Sequence, residues 1–353
     1  MRDSWLDMNS SIPIGVASGL AAALLFLVVR SGSVFALMLD MFAPLPLLIA
    51  ALGWGPRSAL VGMASGTLVV TALIPGAAGL VFGLGIALPA WVMGVLIMMH
   101  RREGDRILFM PIGICLLATA LINALMALCM AMMIGGDMEG LTKAFGQIID
   151  AISTAHPDLL APIGLSKDDL AKLMSQSAPP VFAALGVFTS TGLLWLAGSL
   201  VEMSGRLTRP WPDLALTSMP ASVLALTGLA AILSVLFDGF GGLYARCVLL
   251  ALVSAYILEG LGVVLVITRG MSTRTPILTL FAVLTLILPP LAGPVLAGLA
   301  LLGIIDRMAG IRQRALAALL PVSTPQLRKR LNNHFFELPL LKNKGDHYGS
   351  HSA

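Results

Sequence analysis

Residues 241–268 read GGLYARCVLLALVSAYILEGLGVVLVIT, an apolar run that contains only two charged side chains, Arg246 and Glu259. An α-helix crosses a bilayer core of about 30 Å with roughly 20 residues, and this run exceeds that length. Such a run predicts a helix that spans a membrane.

The rest of the chain has the same character. Of the 353 residues, 58% are hydrophobic and 11% are charged, and the mean hydropathy is +0.93. Soluble domains are about a quarter charged. The composition therefore excludes a water-soluble fold and predicts an all-α, polytopic helical membrane bundle whose partner is the lipid bilayer.

Nine apolar runs are long enough, or nearly so, to span a membrane, which predicts eight to ten spans. The last run is interrupted by Leu288-Pro289-Pro290 and is either one kinked helix or two short arms of a re-entrant hairpin. The runs are 12–29, 35–52, 58–74, 80–99, 107–134, 180–203, 221–237, 241–268 and 276–305.

These runs divide the chain into an N-terminal tail (1–11), a first set of membrane helices (12–134), a polar loop (135–178), a second set (179–305) and a basic tail (306–353). In the loop, apolar residues at helical spacing from Met138 to Ile152 predict an amphipathic helix. Ser166 and Asp169 have the spacing of a capping box, which predicts the start of a second, short helix.

The distribution of basic residues predicts the orientation, because Lys and Arg concentrate in cytoplasmic loops. RREGDR at 101–106 and the cluster Arg328-Lys329-Arg330 are therefore expected in the cytoplasm, and the loop 135–178 outside it. Both termini then lie in the cytoplasm. Nine single crossings would place the tail outside, so an even number of spans is favoured.

Signatures of catalysis and of metal binding are missing from the sequence. All five histidines lie outside the apolar runs, the three cysteines form no CxxC, and there is no HExxH, GxSxG or P-loop. The net charge of +4 reflects eight basic residues after Gly303 rather than a distributed basic surface. We therefore predict no enzyme activity, metal, cofactor or nucleic-acid partner.

Polar side chains within the apolar runs are the candidate ligand-binding residues, because an ionisable group at depth costs several kcal/mol unless it is paired, wetted or used. Asp40 shortly precedes Pro44 and Pro46, which free backbone carbonyls and bend a helix. Asp40 either lines a polar pocket there or pairs with an Arg of another span. Glu259 is the deeper group, and Asn123 is most simply an interhelical hydrogen bond.

GVASG at 15–19 and GMASG at 62–66 each open an apolar helix. Both are patterns of small residues four apart, which let helix backbones approach closely. They predict tight helix packing rather than a duplicated unit.

Three stretches taken together resemble the DUF2232 family of bacterial membrane proteins: APLPLLIAALGWGPRSAL at 43–60, LPAWVMGVLI at 88–97 and LPPLAGPVLAGLALLGIIDRMAGIRQR at 288–314. That family is distantly similar to the substrate-binding S-components of energy-coupling-factor transporters, which hold a small ligand between helices. The residues that carry the resemblance are Gly53, Trp54, Gly55, Pro289, Pro290, Gly303, Asp306 and Arg312.

Two functions are consistent with these features. The resemblance implies a transporter-like protein of the bacterial inner membrane that binds a small or lipid-like ligand within its bundle. Alternatively, the protein is a membrane scaffold whose Arg-rich segment, 312–330, docks a cytoplasmic protein partner or anionic lipid, since each basic residue near an anionic surface contributes about 1 kcal/mol.

The predicted orientation can be checked with a topology reporter fused after residue 353. We expect a reporter that works only in the cytoplasm to be active at residue 353 and inactive when it is placed within the loop 135–178. A reporter that works only in the periplasm should show the reverse pattern. A periplasmic signal from residue 353 would overturn the even number of spans.

Overall fold

Helices form nearly all of the structure, a computed structural model that describes residues 8–103, 106–155, 164–207, 209, 217–269, 271–286 and 289–319. The helices of the first half are α1 (Met8–Leu27), α2 (Val34–Asp40), α3 (Leu45–Trp54), α4 (Pro56–Leu73), α5 (Ala78–Phe82), α6 (Leu88–Met98) and α7 (Ile112–Gly135). They are followed by α8 (Met138–Ala155), α9 (Lys167–Met203), α10 (Ser222–Leu236), α11 (Gly239–Ile267), α12 (Arg274–Leu286), α13 (Pro289–Ala309) and α14 (Ile311–Leu319).

The prediction of an all-α helical membrane bundle is confirmed. Within the described residues, seven helical segments are long and apolar enough to cross a membrane. Each of the nine apolar runs contains at least one helix, and the third and seventh runs form α4 and α10. The seven segments are Ser11–Ser31, Phe35–Trp54, Ala78–Met98, Ile112–Gly135, Lys167–Met203, Gly239–Ile267 and Ala292–Ala309.

A proline lies in the break between α2 and α3. A turn over residues 41–44 separates these helices, in the stretch that contains Pro44. The predicted interruption of the last run falls partly on residues 287 and 288, which lie outside the described residues; α12 is described to Leu286 and α13 from Pro289. Proline is tolerated in the first turn of a helix, where its missing N–H has no intrahelical partner to lose. Residues 320–353, with most of the predicted basic tail, lie outside the described residues.

The loop 135–178 contains the predicted amphipathic helix, α8, which buries Leu141 and Ile149. Ser166 caps the next helix as predicted, since its hydroxyl accepts from the Asp169 N–H at 3.1 Å. That helix was predicted to be short, and this is wrong: α9 runs for 37 residues without interruption. Pro179 and Pro180 lie within it, both buried, and packing against α7 and α8 holds the helix together where backbone hydrogen bonds are lost.

A short antiparallel hairpin, β1 (His100–Glu103) and β2 (Arg106–Phe109), was not predicted. Its second strand takes the first residues of the fifth apolar run, so α7 begins only after Pro111. The buried guanidinium of Arg209 donates to the backbone carbonyls of Ile97 and Met110 on either side of the hairpin. Burial lowers the pKa of Arg209.

The buried residues form two main cores. One lies among the helices of the N-terminal half and includes Leu47, Phe82 and Met93, with residues of α9. The other surrounds α11, which contacts α7, α9, α10 and α13. In α11, 67% of the most apolar window is buried, against 22–44% in the other six segments. The run that most clearly predicted a membrane helix is therefore the central helix of the second half.

In the N-terminal core, α1 and α4 pack with their backbones almost in contact. A Cβ atom on Gly19 would overlap the carbonyl oxygen of Gly62, and one on Gly62 would come within 2.9 Å of the Gly15 carbonyl oxygen. The GVASG and GMASG segments face each other at this crossing. Their predicted role in tight packing is confirmed.

We predict that Gly19→Ala lowers the Tm of the detergent-solubilised protein by several degrees, because overpacking of a tight contact costs about 1–3 kcal/mol. Gly192→Ala is the matched control: Gly192 is also helical, but a Cβ there would meet nothing within 4 Å. Thermal unfolding followed by circular dichroism measures both. Equal Tm values for the two variants would contradict the prediction.

Candidate ligand-binding site

Glu259 of α11 is 1% exposed, although it lies within a membrane-spanning helix. Its Oε1 accepts a hydrogen bond from the backbone N–H of Met219, in the segment 217–220 that precedes α10. Its Oε2 is buried and has no hydrogen-bond partner among the described residues. One of the two carboxylate oxygens therefore has no hydrogen bond to the described residues. Burying a charged group with such an unsatisfied atom costs about 1–3 kcal/mol or more.

The backbone beside Glu259 is held by a close crossing of α11 and α13. A Cβ atom on Gly260 would overlap the carbonyl oxygen of Leu299, and one on Gly303 would overlap that of Tyr256. The same Gly303 Cβ would lie 3.3 Å from the Cβ of Glu259. Gly303, one of the residues that carry the family resemblance, is thus required for the approach of α13 to Glu259.

Asp306, one turn after Gly303 on α13, and Arg312, at the start of α14, form a buried ion pair with 2.6 Å between Oδ2 and Nε. Asp306 Oδ1 also accepts from the backbone N–H of Arg312 at 2.7 Å, so the carboxylate caps the first turn of α14. The Arg312 guanidinium donates in turn to the carbonyl oxygen of Thr217. The pair therefore ties α14 to the segment that binds Glu259.

Four charged side chains lie together around Glu259. Asp306 and Glu259 are acidic, and Arg307 and Arg312 lie within electrostatic range of Glu259. The Arg307 Nε is buried without a hydrogen-bond partner among the described residues. We call this group of four, two acids and two bases, the charged cluster.

A cavity of about 140 Å³ adjoins the charged cluster. One water molecule needs only about 10–15 Å³ of such space, so the cavity can hold a larger group. Thr217 also lines it, and its buried Oγ1 has no hydrogen-bond partner among the described residues. The lining residues are Ile97, Ile112, Cys115, Leu116, Thr119, Thr191, Leu194, Trp195, Thr217, Leu258, Glu259, Leu261, Gly262 and Leu265.

The cavity lies between helices of the bundle and reaches its side. Its walls come mainly from α7, α9 and α11, with Ile97 of α6, and its polar members are Glu259 and the threonines at 119, 191 and 217. Trp195, on α9, lines the cavity and is also 49% exposed, so its side chain reaches the outer surface of the bundle.

The other predicted ligand-binding residues lie outside this cavity. Asn123 of α7 donates to the Thr119 carbonyl at 2.9 Å and to the Ser190 hydroxyl of α9 at 3.3 Å, the interhelical contact that its sequence position suggested. Asp40 ends α2 and is half-buried, with its Oδ1 unpartnered among the described residues. Pro44 and Pro46 begin α3 nearby. None of these four is among the residues that line the cavity.

The junction of α3 and α4 contains Gly53, Trp54 and Gly55, three of the residues that carry the family resemblance. Gly55 has φ of +95° and ψ of 165°, a conformation that is essentially restricted to glycine. The Trp54 ring is covered by the Arg206 guanidinium, whose carbon lies 4.8 Å from the ring centroid. Gly53 faces Val201 at ordinary contact distance, so these three residues join α3 to the end of α9. Pro289 and Pro290 begin α13.

Sequence reasoning missed most of the cavity. Thr217 lies between two apolar runs, and the threonines of α7 and α9 at positions 119 and 191 resemble ordinary membrane-helix residues. No local signal marks them, because they meet only through the packing of helices that are distant in the chain. The charge of Glu259 within an apolar run was the one signal that pointed here.

The apolar helices and the buried, partly unsatisfied carboxylate define a multi-pass membrane protein with an internal cavity. A family model described as "Predicted membrane protein (DUF2232)" matches residues 20–307, and the chain belongs to this family. No curated protein and no solved structure matches the chain. The distant similarity to S-components thus stays a prediction.

We predict that Asp306→Asn destabilises the protein by about 3–5 kcal/mol, because it removes the charged partner from a buried ion pair. The double variant Asp306→Leu with Arg312→Met should recover much of the loss. Glu139→Gln, which breaks the exposed pair with Lys143, is the control and should leave the Tm unchanged. A Tm for Asp306→Asn equal to that of the control would contradict the prediction.

Proposed function

We propose that this protein binds a small or lipid-like ligand in the cavity beside Glu259, as a transporter-like protein of the bacterial inner membrane. The observation that carries the proposal is the cavity itself, about 140 Å³ within the bundle, whose mostly apolar lining includes Glu259 and Thr217. Pockets for small ligands are typically apolar with a few polar groups, and this cavity has that composition.

The site is suited to binding rather than to catalysis. A general acid or base needs a second group positioned to act with it on the substrate. In the cavity, Glu259 is accompanied by threonines, a cysteine and apolar side chains. Asp306 and Arg312 of the charged cluster are not among the lining residues, and they act by holding the segment 217–220, which donates to Glu259.

The proposed setting follows the orientation predicted from the basic residues. Both termini lie in the cytoplasm, and the loop that contains α8 lies on the outer side. The α8 helix then covers the outer ends of α7 and α9, against which it packs. The cavity, which lies between α7, α9 and α11, would take its ligand from the bilayer past Trp195.

Native mass spectrometry of the full chain, extracted from its own membrane in a mild detergent, tests the proposal. We expect a retained adduct on the wild-type protein. Thr191→Trp places a large ring in the cavity and should reduce adduct occupancy at least tenfold. Leu185→Trp is the matched control, since Leu185 lies on the same helix and is 53% exposed.

Two results would contradict the proposal. One is a wild-type protein without any adduct, and the other is an adduct that Thr191→Trp and Leu185→Trp retain equally. The second result would place the molecule on the outer surface of the bundle. Thermal unfolding of both variants shows whether a lost adduct reflects a filled cavity or a damaged fold.

A further inference from the structure

The cavity lies near one end of the bundle, at the β1–β2 hairpin. Arg209, shortly after the end of α9, donates to the carbonyls of Ile97 in α6 and Met110 just before α7, so the three helices meet there. Among the lining residues of α9, Thr191 lies farthest from this end, about 18 Å at about 1.5 Å per residue. The core of a bilayer is about 30 Å thick, so the cavity lies at the depth of the lipid chains.

The polar side chains in the walls direct their hydrogen bonds into the protein. Glu259 accepts from the Met219 N–H, and its other oxygen and the Thr217 hydroxyl oxygen are themselves buried. The Thr119 hydroxyl donates to the Cys115 carbonyl of its own helix at 2.8 Å. A polar solute would therefore lose its water in the cavity without gaining hydrogen bonds from Glu259, Thr217 or Thr119, which is unfavourable.

The remaining walls are hydrocarbon, and they define the size of the group that fits. Eight of the fourteen lining residues are Ile, Leu or Trp. An engineered apolar cavity of about 150 Å³ binds benzene, so a cavity of about 140 Å³ accommodates a group of about six carbon atoms. The Trp195 side chain lines the cavity and also reaches the outer surface of the bundle, where lipid chains surround the spanning segments.

From its depth, its walls and its size we infer that the cavity holds part of one hydrocarbon chain of a membrane lipid, whose head group stays outside the cavity. The inference rests on the proposed function and names the class of ligand for the same cavity. It excludes a polar small molecule as the ligand. It also gives Glu259 a structural part, since its bonded oxygen holds the segment 217–220.

The test uses three photoreactive probes. Two are phospholipids that differ only in the position of a diazirine, which lies in the middle of one acyl chain or on the head group, and the third is a water-soluble sugar with a diazirine. Each is added to the full chain in nanodiscs and irradiated, and the crosslinks are located by peptide mass spectrometry. The chain probe should label residues 258–265 of α11 at least tenfold more than either other probe. This segment reports the cavity, because α11 is the most buried of the seven spanning segments.

Variants that fill the cavity separate it from the outer surface. Thr191→Trp and Leu194→Trp, made independently in case one of them fails to fold, should each reduce labelling of residues 258–265 by the chain probe at least fivefold. Leu185→Trp, on the exposed side of the same helix, should leave it unchanged. Labelling of the exposed Leu24 in α1 should be equal in all variants and controls for the amount of probe in the bilayer.

The outcomes distinguish the two proposals. If the sugar or the head-group probe labels residues 258–265 as strongly as the chain probe, and the cavity-filling variants reduce that labelling, the ligand class is overturned while the cavity remains a binding site. The same holds if the chain probe does not label this segment but the native adduct is present and is lost in Thr191→Trp. If neither the adduct nor the labelling by any probe responds to the cavity-filling variants, the proposed function itself fails.

Discussion

The close crossing of α11 and α13 at Gly260 and Gly303 is the contact on which the second half of the structure depends. Only glycines allow the two backbones to approach so closely. The crossing places Asp306 near the end of α13, where its carboxylate caps α14 and pairs with Arg312. Arg312 then holds Thr217, and the segment that begins there supplies the Met219 N–H to Glu259.

The two acids of the charged cluster are treated differently by the fold. Asp306 has both oxygens bonded, which offsets much of the desolvation of the pair, whereas Glu259 has only one. A membrane protein that used charges only for packing would gain from pairing both. The N-terminal core contains no such charges among its described residues: α1 and α4 cross at glycines, and the Ser18 hydroxyl beside Gly62 donates to the Gly15 carbonyl of its own helix.

The sequence predicted the helices because membrane helices are encoded locally, by apolar length and by breaks at Pro and Gly. It also singled out Glu259, because a carboxylate within 28 apolar residues is costly wherever it lies. It could not predict the continuity of α9, in which tertiary packing outweighs Pro179 and Pro180. Nor could it predict Thr217 as a lining residue, since residues 42 positions apart in the chain meet only through the folded crossing.

Asp40 and Glu259 were both candidate ligand-binding residues, with Glu259 predicted to be the deeper one, and their burial differs as predicted. Both leave one carboxylate oxygen unpartnered among the described residues. Asp40, however, ends a short helix beside Met41 and Phe42, which are 53% and 44% exposed, so it lies close to the outer surface of the bundle. Glu259 is enclosed by protein and is among the residues that line the cavity, whereas Asp40 is not. An unpartnered oxygen is common to both carboxylates, so burial and position at the cavity are what separate them.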